Sequence, residues 1–134
     1  MRYMLLIYSN ERADAHADPA EAQAIMMGHK AVMEGTMKAG ILRGGEPLHP
    51  TSTATTVRIQ NGKPITLDGP FAETKEQLGG YYILDCKDLD EAIYWAGQIP
   101  TNCKGGSGCV EIRPLMDIPK MEEDIRQAVA AQAK

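Results

Sequence analysis

The side chain best suited to carry chemistry in this sequence is His29. It falls on the apolar run Ala22, Ile25, Met26, His29, Val32, Met33, Met37, whose spacing is helical, so it faces a sheet rather than solvent. Imidazole is the side chain that most readily moves a proton near neutral pH. Two readings fit it: a general acid or base, or a core histidine hydrogen-bonded to a carbonyl. A second candidate is Asp68, which opens the bend Asp68-Gly-Pro-Phe71. Gly69 there can take a positive φ and Pro70 has a fixed one. The carboxylate either bonds its own backbone as an Asx-turn or orients the His29 ring and steadies its charged form, as the acid of a His-based pair does.

Other groups carry weaker signals. Glu73, Lys75 and Glu76 crowd a loop-to-strand junction and are either solvated or in contact with a substrate, Glu73 being the candidate. Tyr81 and Tyr82 lie on a strand and would shape an apolar cleft. Glu111 and Arg113 share one face of the last strand, opposite Val110 and Ile112. Arg113 there either holds an anionic substrate group or pairs with an acid across the strand. The glycines of Gly105-Gly-Ser-Gly108 precede a strand rather than a helix, so they are no phosphate cradle. His16 and His49 have no ligand-spaced partners, and no metal or other cofactor is expected. Cys86, Cys103 and Cys109 form neither a zinc spacing nor a disulfide framework, and no thiolate-stabilising group is evident beside the last two.

Composition narrows the partners. The chain has 134 residues, enough for one domain with its own core. Hydrophobic residues make up 43% and charged residues 24%, which is globular rather than disordered usage. A net charge of −4 disfavours nucleic acid and anionic membrane surfaces, both of which call for basic excess. The longest apolar run, Tyr3–Tyr8, is too short for a bilayer or a signal peptide. A cytoplasmic protein is expected.

The elements that must position these groups read in order. Tyr3–Tyr8 is a continuous apolar strand of the kind found in mid-sheet, and Ser9–Asp18 is a loop. Asp18-Pro-Ala-Glu21 is a capping box opening a helix that Gly40 stops. Ile41–Leu48 is a strand. Thr55–Gln60 and Lys63–Leu67 flank Asn61-Gly62, a hairpin signal. Leu78–Cys86 is the next strand. Asp88-Leu-Asp-Glu91 caps a helix running to about Gln98, with Leu89, Ala92, Ile93 and Ala96 buried. Asn102–Gly108 is a loop, Val110–Pro114 a strand and Pro119–Ala133 a helix. The order β-α-β-β-β-α-β plus a tail helix is α+β and ferredoxin-like: an antiparallel sheet with two helices on one face. The other face, apolar and tyrosine-rich, calls for a cover. A second copy of the chain is the simplest one, giving a homodimer through the open sheet face.

The run Asp68-Gly-Pro-Phe-Ala-Glu-Thr-Lys-Glu-Gln-Leu-Gly-Gly-Tyr-Tyr82 resembles the signature of the DGPF branch of the YCII-related proteins. Met1-Arg-Tyr-Met-Leu-Leu-Ile-Tyr8, Lys38-Ala-Gly-Ile-Leu42, Gly44-Gly-Glu46, Ala54-Thr-Thr-Val-Arg58, Asp88-Leu-Asp-Glu-Ala92 and Glu111-Ile-Arg-Pro114 are similar to it too, in order. The resemblance implies a family domain over residues 1–117, followed by a helical tail over 118–134. It also implies a dimeric α+β barrel. More distant YCII-like relatives include a dehydrochlorinase acting on a chlorinated hydroxyquinol, with a His–Asp pair suspected at its centre. Some DGPF members lie near genes for alternative sigma factors. The loop Thr101–Gly108 and the tail after Asp117 depart from the family pattern.

Together these point to a cofactor-independent lyase or isomerase on a small, phenolic molecule. His29 and Asp68 would be catalytic, with Glu73, Tyr81 and Arg113 in contact with substrate. The rival reading is a small-molecule- or partner-binding module without turnover, tied to sigma-factor or stress regulation.

Overall fold

The computed structural model describes residues 1–101 and 107–133. Cys103, Gly105 and Gly106, with most of the expected loop, lie outside the described residues. In chain order the elements are β1 (Arg2–Ser9), α1 (Glu11–Ala15), α2 (Pro19–Lys38), β2 (Leu42–Pro47), a 3-10 turn (Thr51–Thr53), β3 (Thr55–Gln60), β4 (Lys63–Asp68), β5 (Gln77–Asp85), α3 (Leu89–Ala96), β6 (Gly108–Pro114) and α4 (Pro119–Gln132).

Local signals fix most of the boundaries. The Asp18 carboxylate accepts from the Glu21 amide at 2.8 Å and Pro19 occupies the first turn of α2, while Gly40 leaves the helix at φ +73°. Asp88 caps α3 in the same way, at 2.9 Å from the Glu91 amide. Asn61 and Gly62, at φ 51° and 76°, form the left-handed two-residue turn that suits strand twist.

The apolar β1 lies inside a four-stranded sheet of order β2-β5-β1-β6, and each neighbouring pair is antiparallel. Its buried residues Tyr3 and Leu5 join Tyr82 and Leu84 of β5 on the face covered by the helices. Val32 of α2 and Ala92 of α3 complete this core, with Cys86 and Ile99. Met4, Leu6, Tyr8, Tyr81 and Ile83 alternate onto the opposite face.

Four expectations are corrected. Ser9–Asp18 contains the helix α1, capped by Asn10, whose side chain accepts from the Ala13 amide at 3.0 Å. The hairpin β3–β4 forms a separate two-stranded sheet instead of joining the main one. Leu89 and Ile93 of α3 are about half exposed, at 50% and 51%, because Ala92 is the residue that meets the sheet and Trp95 turns toward α2. On α2, Met26 and Met37 are exposed as well. The inward stripe runs instead through the half-buried Ile25, Gly28, His29 and Gly35 and the buried Val32 and Thr36.

Gly28 and Gly35 explain that phase. A Cβ on Gly28 would stand 2.9 Å from Pro100, and one on Gly35 would stand 2.8 Å from the Trp95 ring. These two positions, two turns apart, let α2 receive the Trp95 ring of α3 and the Pro100 ring after it. Thr36, fully buried, keeps its hydroxyl satisfied by the Val32 carbonyl at 2.8 Å. No helix among the described residues is long and apolar enough to cross a membrane. Replacing Gly35 with Val should cost about 1–3 kcal/mol of stability through overpacking against Trp95. Urea denaturation reads it, and an unchanged midpoint would show that the contact is slack.

Candidate functional site

A hollow of about 780 Å³ lies under α2. Its lining comes from one flank of that helix, from β2 and β5, and from the end of β1 beside α1. The hollow arises from what β5 lacks. Gly80 is buried on the helix-facing side, between Ile7 of β1 and Pro47 of β2, and contributes no side chain to the floor. Ile25, Met26 and Met33 of α2, with Ile7, Pro47 and Pro100, make the walls apolar.

His29 projects from α2 into this lining between Met26 and Met33. Its Nδ1 lies 2.9 Å from the Tyr82 hydroxyl, and the two rings are tilted by 33° at 6.1 Å between centroids. Tyr82 is held in turn by β2. A Cβ on Gly45 would come within 2.8 Å of the Tyr82 ring, so only glycine leaves room for that rotamer. Burial pushes the His29 pKa below its ordinary 6.5 and the Tyr82 pKa above its ordinary 10.0. Both groups are therefore neutral at pH 7. A second polar pair stands at the far end of the hollow, where the Ser9 hydroxyl donates to Asp14 at 2.6 Å.

Of the residues expected at the site, His29 lines the hollow and Tyr81 adjoins it through its strand, with its ring on the opposite face of the pleat from Tyr82. Asp68, Glu73 and Arg113 do not line it. Asp68 ends β4 and is exposed. The bend after it is held by backbone, with the Gly69 amide donating to Ala54 and Thr56 donating to the Gly69 carbonyl. Gly69 itself sits at φ +93°. Glu73 is exposed between β4 and β5, and Arg113 is exposed on β6, opposite Met4. The hydrogen-bond partner of His29 is thus a phenol rather than a carboxylate. Among the described residues no group of three His, Cys, Asp or Glu is placed to hold a metal.

Sequence reasoning placed Tyr82 in a cleft but not against His29. The period-2 alternation of β5 carried the signal, since Tyr82 shares a face with Leu84 and hence with the helix. Glu11 was missed as well. Its carboxylate holds the Thr51 amide at 2.8 Å and hydroxyl at 2.7 Å, anchoring the segment that leads into the hairpin.

The family model for the YCII-related domain matches residues 1–119, and the chain belongs to that family. An uncharacterised protein of Rhizobium meliloti (strain 1021) is 40% identical over 115 residues, covering 86% of this chain and 92% of the relative.

Because the folded His29 takes up its proton at lower pH than the unfolded chain does, the unfolded state binds more protons below pH 6.5. Stability should therefore fall as pH drops from 6.5 through the folded value and then level off. His29→Gln should remove that part of the slope, as read from urea midpoints across pH 4–8. Identical slopes in the two proteins would refute the neutral buried state. Gly45→Ala should displace the Tyr82 ring and shift the His29 ring resonances in NMR spectra. Unchanged resonances would show that the close approach does not position the ring.

Proposed function

We propose that this YCII-related protein is a cofactor-independent enzyme of the lyase or isomerase type acting on a small phenolic molecule in the hollow beneath α2. One observation carries the reading. A neutral, half-buried imidazole, bonded to a phenol, stands at the wall of a cavity large enough for such a molecule. A neutral imidazole is a base, and a phenol at 2.9 Å can share the charge that forms on it. In an elimination His29 takes a substrate proton while the leaving group departs with its electron pair.

The same reading includes the subunit's assembly. The strand order β2-β5-β1-β6 with helices on one face supports a ferredoxin-like subunit. The opposite face, with Met4, Leu6, Tyr8, Tyr81 and Ile83, supports a homodimer joined sheet to sheet as an α+β barrel. In that assembly Asp68 acts only if a second subunit's hairpin delivers its carboxylate. The lack of a carboxylate bonded to His29 among the described residues favours the second reading, a binding module without turnover.

Incubation with chlorinated and unchlorinated polyhydroxybenzenes, followed by absorbance and chloride release, separates the two. Turnover should fall about 10²–10⁴-fold in His29→Ala. It should fall roughly ten- to a hundredfold in Tyr82→Phe, from loss of one hydrogen bond to a charged group. Ligand binding without turnover, kept in His29→Ala, would establish the binding module instead. Analytical ultracentrifugation should give a dimer, and a monomer at all concentrations would remove the barrel.

A further inference from the structure

We infer that the hollow beneath α2 takes an uncharged aromatic ligand and rejects an anionic one, an inference that rests on the ligand-site reading above. The lining shows why. Among the described lining residues there is no lysine or arginine. Arg43 borders only the smaller neighbouring hollow beside Tyr82 and Met33, and its guanidinium is directed to the Gly40 carbonyl at 2.8 Å and to Asp85 at 3.5 Å. The charged side chains among the described residues at the wall of the larger hollow, Asp14 and Glu46, are both acidic. Asp14 accepts from Ser9, and Glu46 lies opposite Tyr81, on the pleat facing away from the helices.

The remaining polar side-chain pair, His29 with Tyr82, offers one hydrogen and lone pairs but no net charge. A ligand carboxylate entering between Ile25, Met26, Met33 and Pro47 would lose its water and meet no lysine or arginine among the described lining residues. An amide or a phenol would lose less water, and could both donate to and accept from the pair. Shape adds to this, because Met26 and Met33 are flexible and can close on a flat ring. The expected ligand is accordingly planar, ring-sized and neutral, with one donor and one acceptor on the same edge.

Benzamide and benzoate test this, being nearly equal in size and shape and differing in charge. Each is titrated at pH 7 into the full-length protein while the His29 ring signals are followed by NMR. Benzamide should bind about tenfold or more tightly than benzoate. Met33→Arg, which puts a cation on the wall at an exposed position, should raise benzoate affinity relative to benzamide about tenfold. Benzoate binding as tightly as benzamide to the unaltered protein would overturn the charge selection while leaving the ligand site in place. A folded Met33→Arg protein with no gain for benzoate relative to benzamide would overturn the account of its cause. If neither compound moves the His29 signals at millimolar concentration, this inference and the proposed function fall together.

Discussion

The packing of α2 on the Trp95 ring and on Pro100 is the constraint from which the rest of the structure follows. Gly28 against Pro100 and Gly35 against Trp95 leave no room for a side chain of their own, so the rotation of α2 about its axis is set at two points. A helix fixed in rotation presents a fixed residue to each neighbour. Val32 and Thr36 go to the core, and His29, one position round, goes over Tyr82. The methionines at 26 and 33 then flank it at the rim of the hollow. Larger residues at the two glycines would rotate or lift the helix, and the imidazole would leave its partner. The chemistry of the site depends in this way on contacts made on another flank of the same helix.

On the sheet side, glycine acts by a different route. Gly80 leaves the floor bare, and Gly45 leaves Tyr82 room to stand upright from β5 toward α2. The ring would otherwise have to tilt away from β2, with the hydroxyl following it. Burial beneath the helix then sets the protonation state. Neither group has a charged partner in this contact, so desolvation alone governs both, lowering the histidine and raising the tyrosine. A carboxylate beside the ring would reverse the histidine's shift and make it an acid at neutral pH. Without one, the site holds an uncharged base.

How much of this was legible in the sequence depended on range. The caps at Asp18 and Asp88 and the Asn61-Gly62 turn are decided within four residues, and the structure has each where the pattern put it. Helix α1 has only five residues, too few for apolar periodicity, although Asn10 with Glu11 after it was a usable cap signal. The stripe of α2 was misphased because methionine counts as apolar in any periodicity count, while its flexible chain tolerates an exposed rim. Gly28 and Gly35, which a periodicity count passes over, are the positions that meet Pro100 and Trp95. The role of Tyr82 required two periods at once, 3.6 for the helix and 2 for the strand, together with their relative phase. The separate β3–β4 sheet and the position of Asp68 are non-local outcomes that no spacing encodes.

The hairpin and α4 raise a different physical question. A two-stranded hairpin is marginal alone in water, and so is a helix of this length, unless an apolar face is buried. Here Met121, Ile125 and Val129 form one stripe on α4, exposed by 55–60%, and Val57, Ile59 and Leu67 are exposed on the hairpin. Polar ties hold their bases: Glu11 grips Thr51 before the hairpin, and Arg2 reaches Asp117 before α4 at 3.3 Å. Ties of that kind fix where an element starts but not what its apolar side rests on. The helix-facing side of the sheet is covered by α2 and α3, with the hollow between α2 and the strands. The sheet's opposite face is the remaining broad apolar surface, and it runs through Tyr81 alongside the strand that floors the hollow. Whatever settles on that face bears on β5 from behind, and hence on the height at which Tyr82 meets His29.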